Sequence, residues 1–239
     1  MDSNMVEIKK PGMTFPLGVG AVVIDLDGTL LDTVADLAGA ANRMLEDLGL
    51  PTRDLETIKS YVGKGVATLV KRALTGRLDG EPDAALFDRA EAIFHRRYGE
   101  GLSVSTQPYH GVEQGLEALK AMGMPLGCIT NKAEQFTVPL LEDMGMKHYF
   151  QIILSGDSLP KRKPDPMPLL HAAEYFGTPI SDLLLIGDSL NDAQAARAAG
   201  CHVFVVPYGY NEGRDVRELD VDAIVPSLVE AAKLIKCKA

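Results

Sequence analysis

Cysteine is scarce in this 239-residue chain, and basic charge is in deficit. The three cysteines, Cys128, Cys201 and Cys237, are odd in number, widely spaced and show no zinc or redox spacing. That excludes a disulfide framework and points to reduced thiols in a cytoplasmic protein. The five histidines (His95, His110, His148, His171 and His202) also lack metal-ligand spacing and read as structural or surface residues. Lys and Arg number 24 against 33 Asp and Glu, a net charge of −9, which argues against nucleic acid or an anionic membrane as partner. No apolar run approaches the roughly 18 residues of a spanning helix. Met1–Gly12 lacks the apolar core of a signal peptide. Repeats and low-complexity segments are missing too. What remains is the expectation of a soluble, cytoplasmic protein, with monomer and homodimer both open. An overall acidic chain needs a local lysine or metal ion to take an anionic substrate.

What is present centres on Ala21-Val22-Val23-Ile24-Asp25-Leu26-Asp27-Gly28-Thr29. A short β-branched run, apolar on both faces, suits a central strand of a parallel sheet. Asp25 and Asp27, two apart, would point the same way at its carboxyl end, where open α/β sheets place their ligands. Crowded carboxylates call for a cation or a shared proton. Asp-Gly after an apolar run is also an ordinary turn signal, so the pair must find partners elsewhere in the chain.

Read in order, Met1–Gly20 is a loose tail. Helical periodicity follows over Thr33–Gly49, Arg53–Tyr61, Val66–Leu74 and Pro82–Arg97, with no strand before roughly Ser103. The pattern then alternates. Strands are expected at Pro125–Ile129, Gln151–Leu154, Leu183–Ile186, His202–Val206 and near Ala223–Val225, with helices between and a last helix over Ser227–Ile235. The fold class is α/β: a doubly wound, parallel, Rossmann-like sheet with an inserted all-helical domain. Residues 1–32 and 105–239 form the α/β core, and residues 33–104 the insert.

Each later strand ends in polar residues. Thr130-Asn131-Lys132 offers a hydroxyl and backbone N–H groups to an anionic oxygen, or else a helix N-cap. Lys163 precedes Pro164, which fixes its direction, although Lys161-Arg162-Lys163 also reads as a solvated basic run. Asp188, in Gly187-Asp188-Ser189-Leu190-Asn191-Asp192, brings a third strand-end carboxylate. Asp192 lies one turn into the next helix, where the dipole favours an acid in any case. Three carboxylates with room for water and phosphate suit Mg²⁺. Phosphoryl transfer needs such a metal with a lysine and a hydroxyl nearby.

Asp25-Leu26-Asp27-Gly28-Thr29-Leu30, Thr130-Asn131, Lys163-Pro164 and Gly187–Asp192 together resemble the four ordered motifs of the haloacid dehalogenase-like hydrolase superfamily, and the insert resembles its cap domain. The resemblance implies an Asp25 nucleophile that becomes an aspartyl-phosphate. It implies Asp27 as acid and then base, with Mg²⁺ held by Asp25, the Asp27 backbone and Asp188. Thr130 and Lys163 would hold the phosphoryl group, Gly28, Thr29 and Asn131 would contact substrate, and Asp192 would support Lys163 or metal-bound water. Dehalogenases of the superfamily lack the acid at the position of Asp27, so a phosphatase acting on a small anionic phosphate monoester is expected.

Val62-Gly63-Lys64-Gly65, Lys163–Leu169 and Tyr208-Gly209-Tyr210-Asn211 further resemble the bacterial phosphoglycolate phosphatases, implying hydrolysis of 2-phosphoglycolate. Lys64 is a candidate for the substrate's distal anion, or a solubilising charge, and Lys71-Arg72 reads as a solvated face. A capped sugar-phosphate phosphatase or phosphomutase would keep all four motifs. A non-catalytic binding module that kept the fold would have lost a motif residue, and none is lost.

Overall fold

The computed structural model describes residues 5–238. Its strands are β1 (Glu7–Ile8), β2 (Leu17–Val19), β3 (Ala21–Ile24), β4 (Leu31–Asp32), β5 (Gln107–Pro108), β6 (Leu126–Ile129), β7 (Ile152–Leu154), β8 (Leu183–Gly187), β9 (His202–Val205), β10 (Ala223–Ile224) and β11 (Ile235–Cys237). The helices are α1 (Val34–Asp47), α2 (Leu55–Lys59), α3 (Val66–Thr75), α4 (Ala84–Gly99), α5 (Val112–Ala121), α6 (Glu134–Asp143), α7 (Met167–Phe176), α8 (Leu190–Ala199) and α9 (Leu228–Lys233).

Side-chain alternation explains why β3 lies at the centre. Val22 and Ile24 enter one apolar cluster with Leu116 of α5, Leu140 of α6 and Leu228 of α9. Ala21 and Val23 enter the opposite cluster with Leu169 of α7 and Ala196 of α8. A strand apolar on both faces is stable only between two helical layers. Each fully buried Val, Leu or Ile contributes about 1.5–3 kcal/mol. The sheet order is β1-β10-β9-β8-β3-β6-β7, parallel throughout except for β1. Ile24 is in register with Cys128 of β6 on one side and Ile186 of β8 on the other. The chain winds outward in both directions from β3, so three strand ends open at the point where the order reverses. This is the doubly wound α/β class with a helical insertion.

The insert has its own apolar cluster. Leu37, Ala41, Met44 and Leu45 of α1 share one face and pack with Ile58, Leu69, Val70, Ala90, Phe94 and Tyr98. Asp54 accepts from Thr57 N–H at 2.8 Å and Asp83 from Leu86 N–H at 3.1 Å, capping α2 and α4. The chain leaves the core through β4 and returns through β5, and these pair antiparallel, Leu31 with Pro108 and Asp32 with Gln107. The Asp36 carboxylate accepts from the N–H groups of Ser105 and Thr106 and from the Thr106 hydroxyl, pinning the return to α1.

The ends of the chain differ from expectation. Within the tail read as loose, Glu7–Ile8 pairs with β10, and Leu17–Val19 pairs in parallel with β11. The last helix stops at Lys233, and Ile235 belongs to a strand. Both strands exist through a partner at the far end of the chain, so no local pattern marks them. Residues 1–4 of the tail, and residue 239, lie outside the described residues. Among the described residues no helix is long and apolar enough to cross a membrane.

Candidate active site

Asp25 follows the last residue of β3 and is almost wholly buried. Its Oδ1 accepts from Leu26 N–H at 2.8 Å and lies 2.9 Å from Lys163 Nζ. Oδ2 has no protein donor among the described residues and Asp25 lines a small cavity. Burial pushes the Asp25 carboxyl up to about 7; Lys163 opposes this and Asp192 adds to it. Lys163 follows the linker from β7, and its peptide bond to Pro164 is cis. Its ammonium also lies 2.6 Å from Asp192 Oδ1. Burial alone would neutralise Lys163, but Asp192 and Asp25 outweigh it and hold the ammonium charged.

Asp27 sits in the turn that Gly28 makes. The crowding of the two acids is relieved by giving each its own lysine. Lys132 Nζ lies 3.0 Å from Asp27 Oδ1, and Thr33 Oγ1 donates to the same oxygen at 2.8 Å. Lys132 is itself buried and donates to the Tyr98 hydroxyl of α4 at 2.7 Å. Burial works against its charge, but Asp27 and Tyr98 more than compensate. Neither Lys132 nor Tyr98 stood out in the sequence beyond the turn Thr130-Asn131-Lys132. That turn does not cap the following helix: the N-cap is Ala133, which makes no side-chain cap.

Asp188 follows β8. Thr29 Oγ1 donates to its Oδ1 at 3.1 Å and Tyr210 N–H to its Oδ2. Gly28 has φ +88°, and a Cβ there would run into the Asp188 carboxylate and the Tyr210 ring, so only glycine fits. Its N–H donates to Leu31 O. Burial, then Asp192 and Asp25, raise Asp188 well above the usual carboxylate range. Asp192 does two jobs. Its Oδ2 accepts from Ser189 N–H and Oγ at the start of α8, while Oδ1 holds Lys163. Asp192 therefore points both at Lys163 and at the start of its own helix.

One carboxylate oxygen from each of Asp25, Asp188 and Asp192 lies within 4.8 Å of the other two. An all-oxygen set with this much uncompensated negative charge fits a hard divalent cation. Asp192 Oδ1 already faces the Lys163 ammonium, whereas Asp188 has no ion-pair partner among the described residues and accepts only from Thr29 Oγ1 and Tyr210 N–H.

Thr130 and Asn131, beyond β6, complete the floor. Thr130 Oγ1 accepts from Lys132 N–H at 3.2 Å. Asn131 Nδ2 donates to Gly63 O at 3.0 Å and Lys163 O at 2.9 Å, and its buried Oδ1 is unpartnered. Asp25, Asp27, Thr130, Asn131 and Lys132 face Leu37, Val62, Val66 and Leu69 of the insert across a cavity of about 30 Å³. That holds a water but not a phosphate ester. A second cavity of about 290 Å³ reaches Lys163 from outside, past Lys64, Arg162 and Asn191. A larger cleft of about 590 Å³ lies beyond Tyr210, and none of the site carboxylates lines it. Lys64 lies 2.9 Å from Glu212 Oε1, with 40% of its side chain exposed. Arg72, read from the sequence as solvated, is 3% exposed, because Glu212 from a distant loop meets it at 2.6 Å.

The sequence model of the haloacid dehalogenase-like hydrolase family matches residues 22–206. A phosphoglycolate phosphatase of Thiobacillus denitrificans is 64% identical over 222 residues, covering 93% of this chain and 98% of that one. One of Nitrosospira multiformis is 65% identical over 224 residues, covering 94% and 99%. The crystal structure of a predicted phosphoglycolate phosphatase from Haemophilus somnus 129pt superposes with a TM-score of 0.85 at 34% identity, covering 93% of this chain and 99% of that one.

Proposed function

The chain belongs to the haloacid dehalogenase-like hydrolases, and from that premise we propose that it is a Mg²⁺-dependent phosphomonoesterase that converts 2-phosphoglycolate to glycolate and phosphate. The observation that carries the reaction is the asymmetry of Asp25. Leu26 N–H and Lys163 hold Oδ1, while the other oxygen is left to the cavity. Asp25 attacks the phosphorus and forms an aspartyl-phosphate, and the ester oxygen of glycolate leaves with a proton from Asp27, which enters the step protonated, its ion pair with Lys132 reduced to a hydrogen bond. Asp27 then takes a proton from the water that attacks the phosphorus, and Asp25 is released unchanged. Lys163 and the Thr130 hydroxyl hold the transferring oxygens. Asp25, Asp188 and the Asp27 backbone carbonyl would hold Mg²⁺, which would supply neutralisation of the phosphoryl charge.

The substrate assignment rests on the two relatives near 65% identity and their names. The small cavity suits a small ester whose capture requires the insert to move aside and then exclude water. A direct test measures phosphate release with Mg²⁺ from 2-phosphoglycolate against a panel of sugar phosphates. A preference above about tenfold in kcat/KM, or roughly 1.4 kcal/mol at the transition state, is expected, with release abolished in Asp25→Asn. Preference for another ester that still vanishes in Asp25→Asn would keep the mechanism and discard the substrate. Asp27→Asn should lower kcat by about 10²–10⁴-fold, with burst release of the alcohol as the check on which step it serves.

A further inference from the structure

The loop after β9 makes contacts that none of the four motifs accounts for. Tyr210 hands its N–H to Asp188. Its ring is buried in the apolar cluster of the insert, not of the core. Its hydroxyl accepts from the N–H groups of Thr33 and Val34 at 2.9 and 3.1 Å and donates to Asp32, at the crossing from core to insert. Asn211 Oδ1 accepts from Leu190 N–H at the start of α8. Glu212, the only non-glycine residue with positive φ among the described residues, adopts φ 52°. L-residues visit that region rarely, and something must hold it there.

Arg214 N–H donates to Asn211 O at 2.8 Å and closes a turn around Glu212, and the two nearest partners of the Glu212 side chain lie across the cleft. Glu212 Oε1 meets Arg72 Nη2 at 2.6 Å and Lys64 Nζ at 2.9 Å. Arg72 anchors its other nitrogens within the insert, on Tyr61 O at 3.0 Å and Leu78 O at 2.9 Å. Only its last nitrogen reaches out to the core. Arg214 Nη2, from the same loop, approaches Glu212 Oε2 at 3.7 Å. Alongside, Gly63 O of the insert accepts from both Asn131 and Asn191 of the core. The segment 61–65 is therefore gripped at two neighbouring points, by side chains from two core loops and the first turn of α8.

We infer that residues 210–212 form a latch. Glu212 closes the helical insert over the site through Arg72 and Lys64, and Tyr210 ties that closed position to the carboxylate of Asp188. Glu212 and Tyr210 are positioning residues, not catalytic ones: neither reaches the cavity floor at Asp25. Opening would expose a buried guanidinium and break both short ion pairs of Glu212. A closed insert thus keeps Asp188 aimed, and an open one frees the Tyr210 backbone that aims it. The kinetic consequence rests on the phosphatase reading; the consequence for closure does not.

Hydrogen exchange on the full-length protein, without substrate, tests closure directly. Glu212→Gly removes the carboxylate and relaxes the backbone, so it should fold, whereas Glu212→Gln keeps the shape and one acceptor. Amides of 61–69 should exchange at least tenfold faster in Glu212→Gly and by a smaller factor in Glu212→Gln, while 183–187 in β8 stays as slow as in the parent. Unchanged protection at 61–69, or equal loss in both regions, would overturn the latch. If the parent hydrolyses no phosphate ester, the phosphatase reading fails, and the exchange result still decides the latch. With activity present, KM for 2-phosphoglycolate should rise more than kcat falls in Glu212→Gly, and Glu212→Gln should recover part of the difference. An equal fall in kcat with KM unchanged would count against it.

Discussion

Asp27 and Lys132 stand 105 positions apart in the chain and 3.0 Å apart in space. A buried ammonium without its carboxylate, or the reverse, costs far more than the pair contributes when intact. Lys132→Met should therefore destabilise the protein by about 3–5 kcal/mol, measured by urea unfolding, because Asp27 is left beside apolar Leu37 and Leu69. Tyr98→Phe should cost about 1–3 kcal/mol by the same measurement, since Lys132 then loses one acceptor. These two residues also mark the limit of what the sequence discloses. Asp25 and Asp188 were legible because each ends an apolar run, and strand, turn and acid are adjacent in the chain. Lys132 and Arg72 were not: their partners come from Asp27 and Glu212, and nothing local distinguishes a lysine that will be buried from one that will be solvated. That Thr29 donates to Asp188 was hidden for the same reason.

The start of α8 shows one element serving two ends. Asp192 holds Lys163 with one oxygen and the first turn of its helix with the other. Asp192→Asn retains an acceptor for Ser189 but loses the charge that faces Lys163, and Asp192→Ala loses both. Thermal melts should show Ala below Asn by about 0.5–2 kcal/mol, while phosphate release falls in both. Beside the β9–β10 pair, Asp222 before β10 joins Arg197 of α8, His202 of β9 and Val203 N–H. Burial would raise its pKa, but these partners win and hold it down at about 2. Its folded value lies below its unfolded one, so its contribution is present above about pH 4 and is lost as pH falls towards 2. Acid titration of stability should therefore lose part of its slope between those limits in Asp222→Asn. Most helices and strands were readable from periodicity, which reports burial within one segment. The short strands β1, β2, β4, β5 and β11 were not, because two or three residues carry no period and depend on partners far along the chain.

For the molecule as a whole, the buried acids make stability depend on metal and pH together. Asp25 is raised to about 7, and Asp188 is raised with it. In chelator, the folded protein keeps protons between about pH 4 and pH 7 that the unfolded chain has already lost. Stability should then decline as pH rises through that window. Mg²⁺ at about 100 times its Kd should add about 2.7 kcal/mol near neutrality and flatten the decline, and urea unfolding at pH 5 and 7.5 with and without chelator would register it. A flat profile in chelator would mean that the acids are compensated some other way. The crossings between core and insert have a wider consequence. Because β4 and β5 lie side by side, the two ends of the excursion over 33–106 meet at a single seam. Lengthening a segment whose ends already meet costs little, about 0.6 kcal/mol per doubling. Lineages could thus exchange the whole roof for one of different length or lining while Asp25 and its neighbours stayed in place, so that chemistry and substrate preference are inherited as separable parts.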